Sequence, residues 1–266
     1  MATFNSEHGR TAKWKFAAAI FLFAATVAVL ANDVQNKIFA GRAEVEFHRA
    51  QRQFQSNTNN PETAWQFARA CFDFADFATN KTERAAIANQ GIAACRQLIA
   101  RGTNAAAAHY YLGMDLGQLA RTKSLGALKI IREMEGEFKT VAELDKQFDY
   151  AGAERNLGLL YRDAPGWPTS LGSRRKARDF LERAAALAPD YPENLLNLAE
   201  SYLKWNERED SKQELNALDA LWPTAQKKFI GEKWGQSWDD WSTRRDAARK
   251  RLDEISASAK PSKNLH

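Results

Sequence analysis

Apolar residues recur with a helical period near the start of the chain. They stand at spacings of four, four, three and four, at Phe39, Ala43, Phe47, Ala50 and Phe54. Because residues three or four apart lie on one side of an α-helix, this stripe predicts an amphipathic helix over residues 33–55. A polar stretch ending in Pro61 follows, and proline suits the first turn of a new helix.

The same period continues along most of the chain, where good helix formers dominate and β-branched runs are nearly absent. The pattern predicts an all-α fold, with further helices over residues 62–79, 82–101, 105–121, 124–136, 141–148, 151–162, 174–188, 193–205, 207–221 and 241–255. We divide the chain into a leader (1–31), a lead helix (32–56), paired helices (57–205), C-terminal capping helices (206–256) and a disordered tail (257–266).

Two of the predicted helix pairs carry a recurring set of small and bulky residues. The first helix has Leu157, Gly158 and Tyr161, and its partner has Ala177, Leu181, Ala184 and Pro189. The next helix has residues of the same kind at the corresponding first-helix positions: Leu195, Leu198, Ala199 and Tyr202. This pattern resembles the tetratricopeptide repeat, in which small residues let two helices approach closely. The resemblance implies a superhelix of stacked antiparallel helical hairpins, and it extends more weakly to residues 65–116.

The repeat is longer than the regular one. Corresponding positions Gly113, Gly158 and Ala199 are 45 and 41 residues apart, against about 34 in a regular tetratricopeptide repeat. A Pro- and Gly-rich insertion at residues 163–172 accounts for part of the excess. Such drawn-out hairpins resemble, more loosely, the T-component proteins of periplasmic TRAP transporters. That resemblance implies an accessory protein that binds transporter subunits and a ligand.

The N-terminus is typical of an export signal. Arg10, Lys13 and Lys15 precede an uninterrupted apolar run of 16 residues, Phe16 to Ala31. Since a membrane-spanning helix needs about 20 apolar residues, the run favours a cleaved signal peptide. Uncleaved, it would anchor the chain in the inner membrane with its basic end in the cytoplasm. In both cases we expect the rest of the chain in the periplasm.

Cys71 and Cys95 are the two cysteines of the chain. In an oxidising compartment they could form a disulfide. Their unequal distances from the turn between their helices would displace them by about 6 Å along the axes and strain such a bridge. The alternative is two buried free thiols in a helix interface.

The residues give no support for catalysis, a cofactor, a metal or nucleic acid. Nucleotide-binding glycine motifs, nucleophile motifs and paired metal ligands are absent from the sequence. The net charge of +5 is spread along the chain without a run of five basic residues, so a nucleic-acid site is not indicated. We expect a non-catalytic scaffold.

Binding residues follow from the repeat positions, because the first helix of each hairpin lines the concave groove of such a stack. Counting from the matched positions gives these candidates: Tyr110, Met114, Arg155, Leu159, Arg162, Leu196, Glu200 and Leu203. A further candidate is Trp167, which two prolines flank in the insertion. We expect a protein or peptide partner in the groove. The alternative is a ligand pocket of a transport accessory, lined by Phe72, Tyr110, Tyr111 and Tyr161.

The C-terminal part has a tryptophan stripe, with Trp234, Trp238 and Trp241 at spacings of four and three. One interpretation is that it covers the apolar end of the stack, which a solenoid must hide from water. The other is an exposed aromatic docking face for a partner helix.

Overall fold

The computed structural model describes residues 34–102, 105–123, 126–166 and 170–258. The predicted leader and Trp167 lie outside these ranges. The first helix, α1, covers residues 34–56. The other helices are α2 (Pro61–Ala75), α3 (Lys81–Ala100), α4 (Ala106–Ala120), α5 (Ala127–Leu144), α6 (Gly152–Asp163), α7 (Arg174–Leu187), α8 (Pro192–Lys204), α9 (Arg208–Lys228) and α10 (Gly235–Ser258). The described residues contain no β-strand, which confirms the all-α prediction.

Helices α2 to α9 pack as four successive hairpins, each helix against the next along the chain. Helix α1 lies over the first hairpin, where the ring of Phe47 packs against Phe67 and Phe74 of α2. Helix α10 covers α8 and α9 at the other end. This is the stacked-hairpin, tetratricopeptide-like architecture that the sequence predicts.

Gly158 shows why the repeat needs a small residue. A β-carbon at this position on α6 would stand 2.6 Å from Cγ of Leu181 on α7, closer than real contacts allow. Both residues are matched positions of the repeat, and Leu181 is 1% exposed. Their contact lets the two helices of the third hairpin approach closely.

Three helices continue through predicted breaks or starts because tertiary packing overrides the local break signals, although α5 ends at Leu144 rather than at residue 148. Helix α5 is continuous where two short pieces were predicted, since Phe138 and Val141 carry its buried stripe past the predicted gap. Helix α9 continues through Pro223 as far as Lys228, where Ala225 is buried at 1% exposure. Helix α10 begins at Gly235 rather than at residue 241.

The tryptophan stripe belongs to the end of the stack. Trp241 is 1% exposed, and Trp234 and Trp238 are partly buried against the same core cluster. The indole N–H of Trp238 donates to the carbonyl oxygen of Phe229 at 2.7 Å. The stripe therefore covers the last hairpin rather than forming an exposed face.

The link between α5 and α6 departs from a regular helical turn. Three consecutive residues, Asp149, Tyr150 and Ala151, have positive φ values of 49°, 54° and 60°. Left-handed backbone costs an L-residue about 1–2 kcal/mol, so a run of three needs support from the surrounding structure. Buried polar side chains provide that support, and the link forms part of the candidate binding surface.

Candidate binding surface

Helix α2 packs against α4 close to the α5–α6 link. On α2, Trp65, Arg69 and Asp73 stand at spacings of four and so share one side of the helix. The ring of Trp65 stacks on Tyr111 of α4, with centroids 5.8 Å apart and planes 7° from parallel. Asp149 belongs to the same electrostatic neighbourhood. We call these five residues the α2–α4 recess.

The charged pair of the recess is loose and accessible. Nε of Arg69 lies 3.8 Å from Oδ2 of Asp73, and their side chains are 55% and 51% exposed. Burial lowers the pKa of Arg69, but Tyr111, Asp73 and Asp149 outweigh that effect and raise it. Arg69 therefore stays charged and holds a replaceable ion pair.

Two properties of Asp73, its exposure and its pKa, describe the surroundings of its carboxyl group. Half of its side-chain surface is open to solvent. At the same time, desolvation by the surrounding protein raises its pKa to about 6, against the opposing effect of Arg69 and with smaller contributions from Asp76 and Asp149. We infer from these two properties that protein flanks the Asp73 carboxyl group on more than one side while water still reaches it.

Behind the recess, Arg155 of α6 is a buried hub. Its guanidinium donates to Oδ2 of Asp149 at 2.6 Å and to the carbonyl oxygen of Tyr150 at 3.2 Å. It also donates to Oδ1 of Asn194 on α8 at 3.1 Å. Burial lowers the pKa of Arg155, but Tyr110, Asp149 and Glu193 together raise it. Arg155 thus holds the left-handed link and ties the third hairpin to the fourth.

Asn194 supports the same link from the other side. Its side-chain amide donates to the carbonyl oxygens of Tyr150, Ala184 and Ala188 at 3.0 to 3.2 Å. Asn194 is itself fully buried, so these bonds satisfy groups that water cannot reach.

Three of the predicted groove residues are core residues. Tyr110, Arg155 and Leu196 are 2%, 4% and 0% exposed. This corrects the prediction that they line an open groove. Counting repeat positions assumes a regular hairpin, whereas the left-handed link brings Asp149 against Tyr110, whose hydroxyl donates to Oδ2 of Asp149 at 2.5 Å.

The other predicted groove residues are partly buried: Met114, Leu159, Arg162, Glu200 and Leu203. Nη1 of Arg162 donates to Oγ of Ser201 at 3.1 Å. Glu200 accepts from Arg244 of α10 at 2.7 Å, so the capping helix covers its carboxylate. Trp167 lies outside the described residues, and its role stays a prediction.

The pocket of the alternative prediction does not form from its aromatic residues. Tyr110, Tyr111 and Tyr161 are 2%, 8% and 2% exposed. Tyr110 and Tyr111 pack edge to face with centroids 5.3 Å apart. These rings fill the core of the second and third hairpins rather than line a cavity.

Cys71 and Cys95 are free thiols, each fully buried. Burial, and after it the nearby Asp115, raises the pKa of both thiols. Among the described residues, no group of three or more His, Cys, Asp or Glu side chains could hold a metal ion. In the same part of the chain, no helix combines the length and the apolarity needed to cross a membrane.

Arg69 and Asp73 were not among the binding residues predicted from the sequence. When Phe67 and Ala68 are aligned with Leu157 and Gly158, Arg69 occupies the position of a groove candidate of the later hairpins, whereas Asp73 lies one residue past the last such position. The weaker match of the first hairpin hid this correspondence. Asp149 and Asn194 carried no local signal, because the contacts that place them across hairpins, Asp149 with Tyr110 and Asn194 with Tyr150, join residues about 40 positions apart.

Comparisons with known proteins agree with this architecture. TTC0263, a thermophilic TPR protein of Thermus thermophilus, is similar in structure with a TM-score of 0.59 and 19% identity. The match covers 78% of this chain and 91% of that chain. Two structures of MamA match with TM-scores of 0.48 and 0.47 and identities of 15% and 16%. They cover 70% and 74% of this chain, and 92% of each MamA chain.

Sequence comparisons add one partial match. The model of a family described as "RMD1-3: Regulator of microtubule dynamics protein 1-3" matches residues 35–136. No curated protein matched the chain. The stacked hairpins, their close contacts at repeat positions and the structural likeness define the chain as a tetratricopeptide-like helical-repeat protein.

Proposed function

We propose that this chain is an exported, non-catalytic scaffold that binds a protein partner as a peptide or an amphipathic helix on its concave face. The observation that carries the proposal is the α2–α4 recess. It offers an accessible cation and an accessible acid beside two stacked aromatic rings.

The chemistry of the recess suits a peptide ligand. The Arg69–Asp73 pair is a 3.8 Å ion pair without a hydrogen bond, and both side chains are about half exposed, so both groups can exchange their mutual contact for partner groups at little cost. An arginine fork can bind a carboxylate of the partner with two parallel bonds. The partly buried ring of Trp65, which stacks on the buried ring of Tyr111, supplies apolar contact area. Aromatic and arginine side chains are the residues that most often dominate such interfaces.

The rigid base of the recess favours specific binding. Asp149 is held by Arg155 and Tyr110 at 2.6 Å and 2.5 Å, so its position is set before a partner arrives. A pre-organised surface loses less conformational entropy on binding. Export is part of the proposal and is supported by the basic and apolar pattern of residues 10–31.

The experiment is differential capture with a matched ion pair as control. Arg175 and Asp179 on α7 form another i, i+4 pair, 3.3 Å apart, with side chains 80% and 46% exposed. Tagged full-length chains with Arg69→Glu or Arg175→Glu are purified from their own cells beside the wild type. Bound proteins are quantified by mass spectrometry.

We expect a set of proteins that the wild type and Arg175→Glu retain and that Arg69→Glu loses. A photo-crosslinker at Met114, next to the recess on α4, should then join the chain to a member of that set. Identical captures for all three chains would overturn the proposed site. Fractionation of the same cells reports separately on export.

A further inference from the structure

Helix α1 has two apolar faces, and one of them is uncovered. Its buried face packs on the first hairpin through residues such as Phe47 and Ala50, which are 5% and 7% exposed. Val34, Ile38 and Val45 are 56%, 43% and 65% exposed. At 100° per residue these three side chains fall within about 40° of one another, on the side opposite to the buried face.

This uncovered face is unusual within the molecule. The exposed large hydrophobic residues of the described chain are Val34, Ile38, Val45, Leu144 and Ile230. Three of these five therefore share one sector of one helix. We call Val34, Ile38 and Val45 the outer stripe of α1.

Basic residues border the outer stripe. Exposed Lys37, Arg42, Arg49 and Arg52 all lie within about 100° of its centre. Arg42 has only a long contact of 3.5 Å with Glu232, which is 85% exposed. Arg49 donates from Nε to Oε2 of the exposed Glu46 at 3.0 Å, so a lipid phosphate would replace that carboxylate, whereas Glu44 lies further round the helix. An apolar stripe with a basic border is the composition of a helix that lies in a membrane interface.

The position of α1 in the chain also indicates that a membrane covers the outer stripe. The apolar run Phe16–Ala31 ends three residues before Val34. If that run stays in the membrane, α1 starts at the lipid surface. Two copies of this chain packed face to face through the stripe would bring two sets of these basic residues into one interface, and that excess of like charge disfavours a dimer.

We propose that the outer stripe of α1 lies on an anionic lipid surface, with Lys37, Arg42, Arg49 and Arg52 contacting headgroup phosphates. The inference rests on the export that the proposed function includes, together with an uncleaved leader that holds the chain in the membrane. It adds an orientation: the buried face of α1 and the hairpin stack beyond it face away from the lipid. The recess would then be presented to the compartment.

The test uses the full-length chain in vesicles that contain roughly one-third phosphatidylglycerol. An environment-sensitive fluorophore is attached at Val45→Cys, and at Leu144→Cys on α5 as an exposed apolar control. Native Cys71 and Cys95 are 0% exposed, so they leave the introduced thiol as the accessible one. Lipids with a nitroxide at the headgroup quench a fluorophore that lies at the surface.

We expect quenching at Val45→Cys to be at least about threefold stronger than at Leu144→Cys. Replacing Arg42 and Arg49 by Gln should reduce it, as should uncharged phosphatidylcholine vesicles. Chains that float with vesicles but show equal quenching at both sites would overturn the inference and leave the tether intact.

Two further outcomes are decisive. Oxidative crosslinking of Val45→Cys between two chains would identify a second copy as the occupant and overturn the lipid assignment. Failure of the full-length chain to float with any vesicle would reject the tether, and the lipid assignment with it. The capture experiment on Arg69→Glu is independent of all these results.

Discussion

The Asp115 carboxylate of α4 lies directly against Gly91 of α3, where a β-carbon at residue 91 would stand 2.0 Å from Oδ2. Asp115 is 0% exposed, and neither of its carboxyl oxygens has a hydrogen-bond partner. Burial, and to a smaller extent Asp73, raises its pKa well above the usual value. The contact joins the first two hairpins through a neutral, buried acid.

Gly91→Ala should destabilise the protein by about 1–3 kcal/mol through overpacking, because the new β-carbon would lie 2.0 Å from Oδ2 of Asp115 and 3.0 Å from Cβ of Cys71. In an Asp115→Ala background the cost should shrink or reverse, since alanine is the better helix former by about 1 kcal/mol. Gly136→Ala is the control, because a β-carbon there meets nothing within 4 Å. Urea unfolding of the four chains measures the coupling, and additive effects would contradict the contact.

The free energy of unfolding should depend on pH because of the buried carboxyl group of Asp115. The pKa of Asp115 is raised in the folded state, so the folded chain keeps a proton that the unfolded chain releases above about pH 4. The stability that this proton contributes is present below that pH and is lost as pH rises. Asp115→Asn cannot titrate, so its stability relative to the wild type should increase from pH 4 to pH 8. Gly136→Ala should show a difference independent of pH.

Asp73 should titrate near neutrality, because desolvation raises its pKa to about 6. Arg69 opposes that shift, so Arg69→Gln should raise the pKa of Asp73 further. Arg175→Gln on α7 should leave it unchanged. Carboxyl carbon shifts followed by NMR provide the measurement. A titration of Asp73 below pH 4 would mean that the α2–α4 recess is an open surface.

Arg155→Met should cost about 3–5 kcal/mol, the usual penalty for removing one partner of a buried ion pair. It removes the donor that Asp149, the carbonyl oxygen of Tyr150 and Oδ1 of Asn194 share. Among the described residues, Asp149 then keeps only Tyr110 as a donor, and the Tyr150 carbonyl only Asn194. Arg175→Met replaces an 80% exposed arginine and should cost less than about 0.5 kcal/mol. Equal midpoints in urea for the two variants would show that Arg155 is not the hub of the link.

The thiols should be unreactive in the native chain and reactive once it unfolds. Both cysteines are free and fully buried, and the raised pKa of each thiol keeps it protonated. A thiol reagent should therefore label neither residue in buffer and both in denaturant. Two unreactive cysteines in denaturant would instead indicate the disulfide that the sequence left open.

The sequence by itself determined the helices and their pairing. The spacing of apolar residues predicts each helix from local geometry alone. The small residue Gly158 and the bulky residue Leu181 predict that the two helices of their hairpin pack closely. The fold class and the covering role of Trp241 could be predicted from such local patterns. The ends of α5 and α9 could not, because buried contacts with other helices outweighed the break signals.

Only the tertiary structure decided which side chains are available to a partner. Arg155 has the repeat position of a groove residue, yet it is buried because the left-handed link at residues 149–151 brings carbonyl oxygens and Asp149 to it. Arg69 and Asp73 look like an ordinary solvated pair in sequence, yet they lie in a recess. Burial and pKa depend on residues distant in sequence, so no local pattern encodes them.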